Sequence, residues 1–216
     1  VQYIFVPIGM NTESHRSRGR PLTFDQDEVL DAAMLVFWTR GYDAASLDDL
    51  TQAMGINRPS LYAQFGNKRG LFLAAIDRYT ETISAPQAVP LATVQDIAKA
   101  VSLYYGEIIK CVAAEGRPPG CLIASVATEL AARDGEIRSK VSNLLGAAED
   151  FIETRLVAAG YGGTTLTAKV MAEMIVAVGQ SLASRARLGA TPAQLTALAE
   201  GFTQQIFADR PPEPLS

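Results

Sequence analysis

Histidine, cysteine and tryptophan are scarce in this chain: one His, two Cys and one Trp among 216 residues. The one His15 lies in a basic stretch near the amino end, so a Ser-His-acid site has no base to build on. No Cys/His spacing fits structural zinc, and neither a metal nor a cofactor is expected. Cys111 and Cys121 are too few for a disulfide framework and fit a reducing, cytoplasmic setting. Long hydrophobic runs are missing too. The apolar stretches are short and carry Ser, Gln or Glu, so no membrane span is expected. The chain lacks G-x-S-x-G, G-x-G-x-x-G, P-loop and H-E-x-x-H patterns. No run reads as a strand, and no repeat or low-complexity block stands out.

What is present is ordinary globular material, with 48% hydrophobic and 19% charged residues. That excludes a disordered acidic chain and allows one domain, or a small one joined to a larger one. The net charge of −4 hides a segregation. Residues 14–24 hold Arg16, Arg18 and Arg20 and no acid, and residues 50–76 hold Arg58, Lys68 and Arg69 and no acid. An acidic body with basic stretches near one end points to a local polyanion contact. The apolar opening VQYIFVPIGM lacks a basic start and a cleavage site, so it does not read as a signal peptide. Met10 is the expected natural start, and residues 1–20 are expected to form a flexible arm.

The periodicity is helical throughout. Val29, Ala32, Ala33, Val36 and Phe37 follow the i, i+3, i+4, i+7 rule, with Asp25 as start and Gly41 as stop. A second helix starts at Ser46, with Asp49 three residues on, and ends at Gly55. A short third helix runs from about Arg58 to Phe65 with Pro59 in its first turn. Either Asn57 or Arg58 caps it: Asn caps better, but Pro59 pushes Arg58 out of helical geometry. A fourth helix carries Leu71, Phe72, Ala75 and Tyr79. A break from Ser84 to Pro90 then separates a domain over 21–83 from one over 84–210. Five further helices are predicted, near 93–114, 121–132, 136–159, 166–188 and 192–208. The fold class is all-α, about nine helices.

The second and third helices with their Gly turn make a helix-turn-helix, whose second member enters the major groove. Arg58 offers a bidentate fork for guanine, and Ser60 and Gln64 can bond bases or phosphates. Tyr62 can reach a phosphate while its ring packs. Leu61 and Phe65 are spaced to face the core. Lys68, in the first turn of the fourth helix, offers a further phosphate contact. Arg18 and Arg20 could enter the minor groove.

These residues, from Arg18-Gly19-Arg20-Pro21 through Ser46-Leu47-Asp48-Asp49-Leu50 to Gly55-Ile56-Asn57-Arg58-Pro59-Ser60-Leu61-Tyr62-Ala63-Gln64-Phe65-Gly66-Asn67-Lys68, resemble the TetR family of transcriptional repressors. The motif resemblance covers about Gly19–Tyr79; beyond it only the helical architecture agrees. It implies double-stranded DNA as partner, contacted at Ser46, Arg58, Pro59, Ser60, Tyr62, Gln64 and Lys68, with Asn57 beside them. The family often has an aromatic or His where this chain has Ala63 and Gln64.

The resemblance further implies a homodimer through the last two long helices, with Val178, Leu182, Leu195, Leu198, Phe202 and Ile206 at the interface. It implies a pocket for an unknown small-molecule effector, with Tyr104, Tyr105, Cys121, Met171 and Met174 as candidates. Cys121 is expected at a helix start with Arg117 nearby, both of which lower a thiol pKa and suit a thiol-reactive trigger. Core packing is the plain alternative for each of these side chains. The leading expectation is a ligand-released repressor. The alternative is a helical enzyme or carrier acting on the bound molecule, which the missing catalytic groups oppose.

Overall fold

The computed structural model describes residues 25–163 and 166–208, and all its regular structure is helical. The arm with Arg18 and Arg20 lies outside the described residues. The first helix, α1 (Gln26–Arg40), starts where the Asp25 carboxylate accepts from Asp27 N and stops at Gly41, whose φ of 81° a side chain would resist. Helices α2 (Leu47–Met54), α3 (Arg58–Phe65) and α4 (Lys68–Tyr79) follow in quick succession. Their core is aromatic. Phe37 meets Phe72 edge to face at 5.0 Å, and Trp38 meets Tyr79 in the same way at 5.1 Å.

The segment read as a break, residues 84–90, is helical apart from a turn at Ala88. A π turn, Thr80–Ser84, carries α4 into α5 (Ala85–Gln87), and α6 (Val89–Thr93) follows. Pro86 and Pro90 each fall in a first turn, where a missing N–H costs little. Helix α7 (Ile97–Val112) starts later than expected, because Asp96 caps it by accepting from Lys99 N at 3.1 Å. Another π turn, Ile123–Ala127, leads into α8 (Thr128–Ala131). Then come α9 (Gly135–Ala158), α10 (Ala168–Arg187) and α11 (Pro192–Ile206).

Packing divides the chain differently from sequence order. One core gathers α1–α4 with Leu122, Ile123, Val126, Leu130, Ile137 and Val141. The other gathers α6, α7, α10, α11 and the later half of α9. The stretch around α8 thus packs on the amino-terminal helices. Ion pairs fasten the same junction. Arg69 holds Asp134 at 2.5 Å and Glu136 at 2.6 Å, Lys140 holds Asp77 at 2.5 Å, and Arg133 pairs with Asp43.

Candidate nucleic-acid interface

The helix pair is set by local chemistry. Ser46 and Asp49 form a reciprocal capping box: Asp49 N donates to Ser46 Oγ at 3.0 Å, and Ser46 N donates to Asp49 Oδ2 at 3.1 Å. Gly55 turns the chain in the left-handed region at φ 64° and ψ 24°, which glycine adopts without strain. Asn57, not Arg58, caps α3: its Oδ1 accepts from Ser60 N at 2.9 Å. Pro59 then occupies the first turn, and Leu61 is wholly buried and anchors the helix.

That leaves Arg58, Pro59, Tyr62 and Ala63 exposed, with Ser60 half-buried. Arg58 is not loose. Its Nε and Nη2 both donate to Asp48 Oδ1 on α2, at 3.2 and 2.7 Å. Gln64 turns inward: it is half-buried, and its Oε1 is buried without a hydrogen-bond partner among the described residues. Lys68 lies over the Tyr42 ring, 4.6 Å from its centroid, and donates to Asp43 O at 3.4 Å. Burial lowers its ammonium pKa, with the Asp43 charge acting the other way. Ser46, Asn57, Arg58, Pro59 and Tyr62 are thus exposed at the helix pair, with Ser60 half-buried among them, whereas Lys68 is held against the Tyr42 ring. The parts played by Asp48, Tyr42 and Asp43 escape sequence reasoning, since Arg58 lies 10 positions from Asp48, and Lys68 lies 26 and 25 positions from Tyr42 and Asp43.

In the body, Tyr105 is wholly buried and its hydroxyl donates to Ile175 O at 2.9 Å, while Met171 is buried beside it in the same core. Tyr104 is half-buried, and burial, with the Cys121 charge second, pushes its phenol up to about 12. Met174 is 39% exposed, so it points out of this core. Cys121 departs from expectation. Arg117 donates to Cys111 Sγ at 3.3 Å instead. Burial pushes the Cys121 thiol up, against opposing hydrogen bonds from Tyr79 and the backbone N–H groups of Ala124 and Ile123. Desolvation outweighs the helix start because it acts on the whole thiolate charge.

The expected dimer stripe is also split. Val178, Leu198, Phe202 and Ile206 are half-buried, but Leu182 and Leu195 are 0% and 1% exposed within one chain. Those two belong to the monomer's own core and cannot meet a partner. Val170, at 41% exposed, stands outward with Met174 on α10.

Two family models match the chain. One, described as bacterial regulatory proteins of the tetR family, covers residues 29–75; the other, a tetracyclin repressor-like C-terminal domain, covers residues 100–202. Among curated relatives, the HTH-type transcriptional repressor ComR of Escherichia coli K12 is 34% identical over 198 residues, spanning 90% of this chain and 94% of its own. BdcR from the same organism, also an HTH-type transcriptional repressor, is 31% identical over 189 residues, covering 85% and 90%. Among solved structures, a cysteine mutant of the TetR family regulator CifR, bound to a 26-bp operator duplex, superposes with a TM-score of 0.77 at 29% identity. That match covers 89% of this chain and 100% of CifR's.

Proposed function

The chain belongs to the TetR family of bacterial transcriptional regulators, and from that premise we propose a homodimeric repressor that reads a two-fold symmetric operator and leaves it when an effector binds or reacts in the body. The observation that carries this reading is α3: capped by Asn57, turned in by Gly55 and anchored by Leu61, it presents Arg58 and Tyr62 outward with Ser60 half-buried between them. That CifR, which superposes over 89% of this chain, is solved with operator DNA supports the DNA-binding part of this reading. The outward apolar residues Val170 and Met174 on α10 give a partner chain somewhere to pack. Such a protein works in the cytoplasm, and among the described residues no helix is long and apolar enough to cross a membrane.

Footprinting tests the reading. Protection should be two-fold symmetric, with half-sites about one helical turn or a small multiple apart. A single asymmetric half-site refutes the dimeric reading. Arg58→Ala should cost about 1–3 kcal/mol and relax preference at one base pair per half-site. Lys68→Ala should weaken all sequences alike and lower the salt slope by about one.

The trigger is tested through Cys121. A thiol-reactive compound should release DNA from wild type and not from Cys121→Ser, at a rate that climbs with pH because the thiol is held protonated. If Cys121→Ser responds like wild type, the effector is a non-covalent ligand near Tyr104 and Met171. In that case linkage requires DNA to weaken the ligand by the same factor.

A further inference from the structure

We propose that Asp48 is a specificity-determining residue, which acts by holding Arg58 in the one orientation suited to guanine and by keeping it off phosphate. The proposal rests on α3 being the groove-reading helix.

A guanidinium carries five N–H groups. Asp48 Oδ1 accepts from Nε and from Nη2, at 3.2 and 2.7 Å. Those two lie along the side edge of the fork. The end edge, formed by Nη1 and the second N–H of Nη2, stays free. That end edge is a parallel pair of donors, which is what guanine O6 and N7 require. Asp48 thus fixes the plane of the guanidinium and leaves its reading edge open.

Stability does not explain the pair. The Arg58 and Asp48 side chains are 53% and 78% exposed, and exposed pairs contribute little to folding. The neighbouring charge is handled otherwise. Asp49 is matched by Arg40 at 2.7 Å and by Ser46. Among the described residues, the Asp48 carboxylate is matched by Arg58 alone. A carboxylate placed at the start of a DNA-facing helix repels phosphate. On a wrong sequence, a freed Arg58 would swing to the nearest phosphate and bind regardless of base. Asp48 competes for Arg58 in that situation but coexists with guanine, which uses the other edge. Selectivity here comes from penalising the wrong partner.

The test uses the duplex that the wild-type protein enriches from a randomised pool, beside a shuffled duplex of equal length and composition. Affinities for both are read by fluorescence anisotropy at fixed salt. Asp48→Asn should bind the shuffled duplex more tightly and lower the selected-to-shuffled ratio about five-fold or more, with the thermal midpoint unchanged. Asp48→Glu should restore part of the ratio. In an Arg58→Ala background, Asp48→Asn should leave the ratio where Arg58→Ala put it, because the orienting role has nothing left to orient. A wild-type ratio in Asp48→Asn, or an equal fall with and without Arg58, overturns the proposal. Arg58→Ala keeping the wild-type ratio sinks the reading of α3 itself, and the proposal with it.

Discussion

Gly70 sets how closely the end of α3 sits against the first turn of α4. It is the third residue of α4, and its φ is not in the left-handed region. Replacing a helical glycine by alanine ordinarily stabilises, by up to about 1 kcal/mol. Here the added Cβ would fall inside van der Waals contact of the Phe65 carbonyl oxygen, closer than the 3.0 Å below which real Cβ atoms essentially never go, and 3.2 Å from the carbonyl carbon. The obstacle is backbone at the end of α3, not a side chain that can swing away. The same carbonyl accepts from Asn67 N at 2.8 Å. Moving it strains the turn between α3 and α4. Overpacking costs about 1–3 kcal/mol, and a backbone obstacle belongs in the upper part of that range. Net of the propensity gain, Gly70→Ala should lose about 1–2 kcal/mol. For a chain of this size that is a fall of about 2–8 °C in the thermal midpoint.

The companion change is Gly146→Ala in α9, where a Cβ meets nothing within 4 Å. It should raise the midpoint by a few degrees, about 1 kcal/mol of propensity without a clash. The two variants should move in opposite directions in one scanning calorimetry series. Operator affinity supplies the second readout: Gly70→Ala should weaken it, Gly146→Ala should not. A Gly70→Ala protein at least as stable as wild type refutes the reasoning, since it would mean that α3 is free to move at its carboxyl end.

The Asp134 carboxyl is held well below the ordinary Asp range, first by the Arg69 hydrogen bond and then by the Ile137 N–H it caps. A depressed folded-state pKa means its contribution is complete above the ordinary Asp pKa, declines as pH falls below that, and is gone once pH has fallen through the depressed value. Acid titration of wild type should therefore show the junction intact at pH 4. Asp134→Asn, which keeps an N-cap acceptor but loses the charge, should show no acid-dependent loss at this site, and its baseline stability should be lower at pH 7; equal pH profiles for the two proteins would refute the role. Met174→Glu should shift light-scattering mass from dimer to monomer with far-ultraviolet circular dichroism unchanged, because Met174 is already 39% exposed in one chain; an unchanged mass puts the interface elsewhere.

Local signals are legible in the sequence and long-range ones are not. Ser46 with Asp49, Gly55, and Pro59 after Asn57 carry their information within four residues, so the order of amino acids alone places the helix pair. Only the choice between Asn57 and Arg58 as cap needs the hydrogen bond from Ser60 N. Ser84–Pro90 reads as a break, yet a proline in a first turn after a π turn does not stop a helix. Helix α10 has apolar residues on more than one side, and periodicity cannot say which side faces its own core. Leu182 goes inward and Met174 outward. The pairing of Arg117 with Cys111 rather than Cys121 depends on how the 113–120 loop folds back, which no spacing rule encodes. Gln64 carries the right polar head for reading a base, yet its amide oxygen is buried.

The junction gives a physical route by which the body can act on α3. Helix α4 has Lys68 and Arg69 at its start, beside α3, and Tyr79 at its end, in the core against which Cys121 packs. Arg69 grips the N-cap of α9, and Lys140 on α9 grips Asp77 on α4. Side chains from α4, the π turn at Ile123–Ala127 and the start of α9 share one core. Close-packed cores shift between discrete arrangements and do not deform smoothly. On that reading a change at Cys121 that repacks Tyr79 would move α4 as a unit, and the ion pairs at Arg69 and Lys140 would carry the same movement to α9. Because α3 ends against the first turn of α4 at Gly70, it cannot stay behind. In the two-fold assembly proposed above each such movement would occur twice, about one axis, so a small tilt of α4 would change the distance between the two α3 helices by the sum of both displacements. Operator spacing is fixed by the DNA, and a mismatch of that kind costs base contacts on at least one half-site.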